Sequence, residues 1–351
     1  MPLPYPRRPV QGPTAPPQST KAPLMPLSTN CASALTWRCA ALCGALALVL
    51  GATAAPAAEC PRTDATPRTA VLSAFPPEWR ALQALVQEGA TCQINGLDFV
   101  TGRIEGQDVV LSMSGISMVN AAMTTQIVID RFNVARLVFS GVAGGADPAL
   151  TIGDVVVPQR WGEYLEAGFA RATPQGLKPF DYGQQPIFKN FGMIFPNGVQ
   201  VGNATEPSHY RFWIDADPQL LASARSAAER VTLQTCTAAQ RCLAQPPKVV
   251  VGGNGVSGPA FVDNAAFRRY VFATFQARVM DMESAALAHV AYANSKPFIV
   301  FRSLSDLAGG GEGANQVLTF MDLASANSAQ LVRVFLQTLP QPASPPLPAR
   351  P

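Results

Sequence analysis

Two short apolar runs, each followed at once by an acidic motif, constrain this chain more than any other feature. Val279-Met280 leads into Asp281-Met282-Glu283-Ser284, and Pro297-Phe298-Ile299-Val300-Phe301 leads into Arg302-Ser303-Leu304-Ser305-Asp306. Short runs of this kind read as buried strands of a parallel sheet. In open α/β sheets the ligand crevice lies at the carboxyl ends of the strands. The pattern therefore places Glu283 and Asp306, 23 residues apart, where chemistry is expected. Two acids in one crevice can protonate a leaving group and steady a developing cation.

The rest of the chain continues the alternation. Residues 69–74 and 136–140 read as further buried strands, 151–158 as strand-like, and 249–251 as a strand that opens into a glycine-rich turn through Gly258. Helical periodicity covers 119–132, 218–231, 284–294 and 315–339. Another helix is expected over 78–87, with Pro76 and Pro77 near its start, where proline is tolerated. Residues 97–113 alternate apolar and polar around Glu105-Gly106, which predicts a hairpin. Residues 161–210, rich in Gly, Pro and aromatics, are expected to form a long ordered insertion or lid. Strands alternating with helices indicate one α/β domain, residues 66–340, around a mostly parallel sheet. The Pro-rich segment 341–351 reads as a disordered tail.

Charge narrows the partners. The 351 residues carry 26 Lys and Arg against 23 Asp and Glu. Four of the bases (Arg7, Arg8, Lys21, Arg38) lie before residue 59, where there are no acids, leaving 22 against 23. No basic field for nucleic acid survives that subtraction.

Residues 1–58 read as leader. After Arg38 comes an uncharged run over 40–58, with small residues at Ala55-Pro56-Ala57 suited to cleavage, and Met25 is an alternative start. The expectation is a signal peptide and an exported, periplasmic or secreted protein. An uncleaved anchor is the competing reading, but Pro56 and the Ala/Gly content make the run a poor membrane span. Of seven cysteines, Cys60, Cys92, Cys236 and Cys242 would remain after cleavage. Cys236 with Cys242 would close a small loop, and Cys60 with Cys92 would tie down the amino terminus; four free thiols are the alternative. Neither His209 nor His289 lies at ligand spacing from a cysteine pair, so no zinc site is expected.

Three carboxylates, Glu78, Glu283 and Asp306, thus fall just after apolar strands, and a fourth strand ends in Gly141-Val142-Ala143-Gly144-Gly145. Glycines there let a ligand approach the backbone. Each feature alone has an ordinary explanation: acids cap helices or complement their dipoles, and glycines make turns. Met282 and Phe261 would ordinarily be core residues, whereas Arg302 inside a buried run calls for partners. A serine hydrolase is disfavoured, because there are two histidines and no Gly-x-Ser-x-Gly elbow after a strand.

The ordered set Ser114-Gly115-Ile116, Gly141 to Gly145, Gly153-Asp154-Val155-Val156-Val157, Ser257-Gly258-Pro259-Ala260-Phe261, Asp281 to Ala286 and Arg302 to Asp306 resembles the purine nucleoside phosphorylase and nucleosidase superfamily. It is most similar to the methylthioadenosine/S-adenosylhomocysteine nucleosidases. The region of Cys236 to Cys242, the run Val262-Asp263-Asn264-Ala265 and Ser305 to Gly310 also resemble the plant bark and vegetative storage proteins. The resemblance implies a three-layer α/β/α domain with a central twisted mixed sheet. It implies hydrolysis of a purine nucleoside by water, with phosphorolysis by phosphate or non-catalytic nucleoside binding as alternatives. It also implies no metal or organic cofactor, and a homodimer.

Carried onto this chain, the resemblance gives Asp306 the role of general acid toward purine N7. Glu78 would activate water, and Arg302 would position that acid and the nucleophile. Glu283 would accept the ribose hydroxyls, with Met282 under the sugar, Phe261 stacked on the base, Ser305 close to it, and Val262, Ala143 and Gly144 completing the substrate site. The chain departs from the family pattern in three places. Val142 replaces a serine, Ser117-Met118 replaces Gly-Lys, and Asp281 stands where Glu is common.

Overall fold

The computed structural model describes residues 60, 65–181, 187–311 and 313–340. The expected leader and the Pro-rich tail lie outside the described residues.

Strand β1 (Arg68–Ser73) is almost wholly buried and leads into α1 (Pro76–Gln83), whose first turn holds both prolines. This helix is shorter than its periodicity suggests, because the chain turns into β2 (Gln87–Ile94). β2, β3 (Leu97–Ile104) and β4 (Gln107–Met113) form an antiparallel meander. Its turns are Asn95-Gly96 and Glu105-Gly106, all four residues at positive φ, as tight hairpin turns require. Cys60 is bonded to Cys92 of β2.

Helix α2 (Met118–Arg131) is followed by the longest strand, β5 (Val134–Gly145), and by β6 (Val155–Val157). The expected insertion begins later than its composition suggests. β7 (Arg160–Glu163) belongs to the central sheet, and Trp161 and Tyr164 are buried. Beyond it, β8 (Ala167–Phe169) pairs with β11 (Ile194–Pro196), β9 (Arg171–Thr173) with β10 (Gly176–Lys178), and β12 (Val199–Val201) with β13 (His209–Arg211).

β14 (Ile214–Asp215) returns beside β7. Asp217 then caps α3 (Pro218–Ala228), its carboxylate accepting from the N–H groups of Gln219 and Leu220. Cys236 is bonded to Cys242 in the following loop. After β15 (Val249–Val251), the turn is confined to Gly252-Gly253, both at positive φ. The rest of the expected turn is a buried strand, β16 (Asn254–Ser257). The chain closes with α4 (Ala265–Phe275), β17 (Ala277–Asp281), α5 (Ser284–Ala293), β18 (Phe298–Asp306) and α6 (Val317–Thr338).

The central sheet is mixed. β5 runs parallel to β1 and to β18, while β17 meets its far end antiparallel. Helices α1 and α3 pack with α6 on one side, and α2 packs with α5. All nine residues of β18 are buried, including Arg302, Ser303, Ser305 and Asp306. Burying Phe298, Ile299, Val300 and Phe301 contributes about 1.5–3 kcal/mol each. That holds the polar residues of the same strand at fixed depth, where each must find a partner.

The register of β5 sets the site. Its edge pairs with β1 from Val134 to Phe139 and with β17 at Gly144 and Gly145. Between these stretches, residues 140–143 have neither strand beside them. The sheet forks there, and the crevice opens in the fork, as expected where strands diverge.

Candidate active site

A cavity of about 250 Å³ fills the fork, and Glu78, Glu283 and Asp306 all line it. The substrate residues expected from sequence, Met282, Phe261, Val262, Ser305, Ala143 and Gly144, line it too. Phe261 stays 60% exposed at the mouth. Arg302 is the exception: it is completely buried and does not line the cavity. It lies behind the carboxylates and pairs with Glu78, Asp281 and Glu283.

Glu78 reaches the fork from the first turn of α1. Its Oε1 accepts from the backbone N–H of Val142 at 2.7 Å, and its Oε2 from that of Ala74 at 2.6 Å. Burial pushes its pKa up from 4.5 to about 7; Arg302 opposes the rise, Glu283 adds to it, and the two backbone N–H groups oppose it. Gly141 is required here. A β-carbon at that position would come within 2.3 Å of Glu78 Oε1 and 2.4 Å of Arg302 Nη1.

Glu283 stands at the mouth of α5. Its Oε1 accepts from the Ser117 N–H at 2.8 Å, and its Oε2 from Arg302 Nη2 at 3.2 Å. Burial raises its pKa, Arg302 opposes the rise and Asp281 adds to it. Ser117 makes this bond from φ 83°, ψ 162°, a backbone region that is essentially glycine's.

Arg302 gathers the carboxylates. Its Nη1 donates to the Val142 carbonyl at 3.0 Å, and its guanidinium carbon lies 4.5 Å from the Phe139 ring centroid. Burial works against its charge, but Asp281, Glu283 and Glu78 outweigh burial and raise its pKa. Asp281 is further fixed by hydroxyl donors from Ser257 and Ser284.

Asp306 ends β18, its backbone in register with Gly144. Its Oδ1 accepts from the Ala308 N–H at 2.7 Å, and its Oδ2 from the Ser305 hydroxyl at 3.0 Å. Burial raises its pKa; donors from Ala308, Ser305 and Asn315 oppose the rise, and Asp263 adds to it. Val142, whose N–H holds Glu78, and Gly144, the register partner of Asp306, are two residues apart on β5, about 6.6 Å along the strand. Glu78 from α1 and Asp306 from β18 thus flank the same stretch of β5 and open on one cavity.

The phosphorylase superfamily model matches residues 68–337. The chain belongs to the phosphorylase superfamily. Within it, the 5′-methylthioadenosine/S-adenosylhomocysteine nucleosidase of Marinomonas sp. is 30% identical over 268 residues, covering 76% of this chain and 97% of the relative. Bark storage protein A of Populus deltoides is 27% identical over 266 residues, covering 73% and 82%. Among solved structures, the Colwellia psychrerythraea nucleosidase in complex with adenine superposes with a TM-score of 0.59 at 28% identity, covering 78% of this chain and 96% of that one.

Sequence reasoning treated Asp281 only as a departure from the family pattern. The structure makes it the shortest ion pair of Arg302, at 2.7 Å. The remaining cavity wall, including Phe75, Ile116, Val317 and Met321, comes from loops and helix ends whose apolar residues look like any core position in sequence.

Proposed function

We propose that this chain hydrolyses the N-glycosidic bond of a purine nucleoside, an adenosine derivative such as methylthioadenosine, and releases the free base. The observation that carries this reading is the single cavity onto which Glu78, Glu283 and Asp306 all open.

Ionised Glu78 takes a proton from water as the water oxygen bonds to C1′. The bond from C1′ to N9 breaks, and its electron pair passes into the purine. Asp306 delivers its proton to N7, so the base leaves neutral. Glu283 accepts the ribose hydroxyls, bonds that strengthen as the sugar becomes oxocarbenium-like. Proton exchange with solvent then restores both acids.

Water is favoured over phosphate by charge. Among the described residues, the charged groups lining the cavity are Glu78, Asp281, Glu283 and Asp306, with no cation. Arg302 already serves Glu78, Asp281, Glu283 and the Val142 carbonyl. A phosphate dianion would face uncompensated negative charge. Valine at 142 leaves the base in place, since the backbone N–H there does the holding.

The test is free-base release from methylthioadenosine, adenosine and inosine, with and without phosphate. Adenine release from methylthioadenosine without phosphate is expected. Turnover only with phosphate overturns hydrolysis, and no turnover by folded protein favours nucleoside binding alone. Asp306→Asn is expected to keep adenine affinity while kcat falls about 10²–10⁴-fold, the usual contribution of a positioned acid.

Export and a homodimer belong to the same reading. The two disulfides support an oxidising compartment. Ile116, Val119 and Met123, at 51%, 80% and 47% exposure, give the start of α2 an apolar face that suits a second copy. Cell fractionation and light scattering test these two points.

A further inference from the structure

Asp306 has a neighbour that the roles above leave unused. The Asn315 side-chain amide lies between two carboxylates, 3.4 Å from Asp306 Oδ1 and 3.0 Å from Asp263 Oδ1. Its orientation is set by the backbone: Asn315 Oδ1 accepts from the Val317 N–H at 2.9 Å, at the start of α6. The nitrogen must therefore face the two acids. The loop carrying Asp263 is held close, because the Asn264 N–H donates to the Ala308 carbonyl at 3.1 Å.

The two oxygens of Asp306 are consequently unequal. Oδ1 faces two N–H donors, from Ala308 and Asn315, and neither can accept a proton. Among the described residues Oδ2 faces only the Ser305 hydroxyl, which can rotate. When Oδ2 is protonated, that hydroxyl has another acceptor in the Ala143 carbonyl at 3.5 Å.

We infer that Asn315 is a positioning residue for the acid: its amide ties Asp306 to Asp263, occupies Oδ1 and leaves Oδ2 to carry the transferable proton. Asp263 holds the amide and adds its negative charge, which favours the protonated form of Asp306. The other charges nearby are otherwise engaged. Glu78, Asp281 and Glu283 line the same cavity around Arg302, and Arg268 of α4 donates to the backbone oxygens of Gly145 and Asp147.

Two isosteric variants test this in the full chain by ¹³C-carboxyl NMR titration, with the Asp306 signal identified by its loss in Asp306→Asn. Asp263→Asn removes a facing anion and should lower the Asp306 midpoint by at least about 0.5 pH unit. Asn315→Asp replaces an N–H donor by an anion and should raise it by a similar amount, about 0.5 unit or more. In nucleoside turnover, Asn315→Asp should lower kcat about tenfold with KM within about twofold, the signature of an interaction made in the transition state. An Asp306 midpoint unmoved by Asp263→Asn, an exposed and conservative change, overturns the inference, as do shifts of the same sign in both variants. This role rests on the hydrolytic reading above, and the arms separate the two. Lack of turnover by the wild-type chain overturns that reading, whereas the titration decides the tether without any turnover.

Discussion

Asp281 Oδ2 lies 2.7 Å from Arg302 Nε, closer to the guanidinium than Glu283 at 3.2 Å or Glu78 at 3.7 Å. Asp281 is therefore the closest anion to Arg302, nearer than either of the other two carboxylates. Asp281→Asn keeps the shape and removes the charge. Breaking a buried pair this way should cost about 3 kcal/mol of stability, read by urea denaturation, and should lower kcat by loosening Glu78 and Glu283. Unchanged stability would show that Glu283 and Glu78 suffice to hold Arg302.

Glu78 predicts two pH effects. In the proposed hydrolysis Glu78 is the base and must be ionised, so kcat/KM should rise with pH through about 7. Stability should move the other way. Folded Glu78 keeps its proton to about 7, against an ordinary value of 4.5, so between these limits the folded state binds more protons and stability falls as pH rises. Its contribution is fully present below about 4.5 and gone above about 7. Glu78→Gln should flatten that part of the curve of Tm against pH.

Gly141→Ala places a β-carbon within 2.4 Å of both Glu78 and Arg302. Neither group can withdraw without leaving its partners. A displacement of about 1 Å at the reacting centre typically costs about 10²-fold, and kcat/KM should fall by at least that much. Steady-state kinetics on methylthioadenosine, with Tm as the control for folding, checks this.

Ser117 occupies a glycine conformation while its N–H holds Glu283. Ser117→Gly keeps that bond and relieves the backbone. A stabilisation of about 1 kcal/mol is expected, with kcat unchanged. A loss of stability would mean that the serine side chain compensates the strain.

Much of this site was legible because it lies on strands. Apolar runs ending in Asp281-Met282-Glu283 and in Arg302 to Asp306 locate both acids, and burial of β18 explains why the pattern is so clean. Other parts were hidden for physical reasons. β16 begins Asn254-Gly255, and only the sheet on both sides makes those residues a strand rather than a turn. β7 is hidden by Arg160 and Glu163 at its ends, though Trp161 is in the core. Arg302 reads as a site residue from its chemistry, but its place behind the cavity follows from three-dimensional pairing with Asp281. Asn315 gives no signal at all, since an asparagine before a helix is normally just its cap.

The attachment of Glu78 to a main-chain amide has a consequence for engineering. Val142 lines the cavity while its peptide N–H secures the Glu78 carboxylate. The polarity of this part of the cavity wall can therefore be varied through the residue at 142 while Glu78 keeps its amide donor, with proline excluded because it has no amide hydrogen to offer.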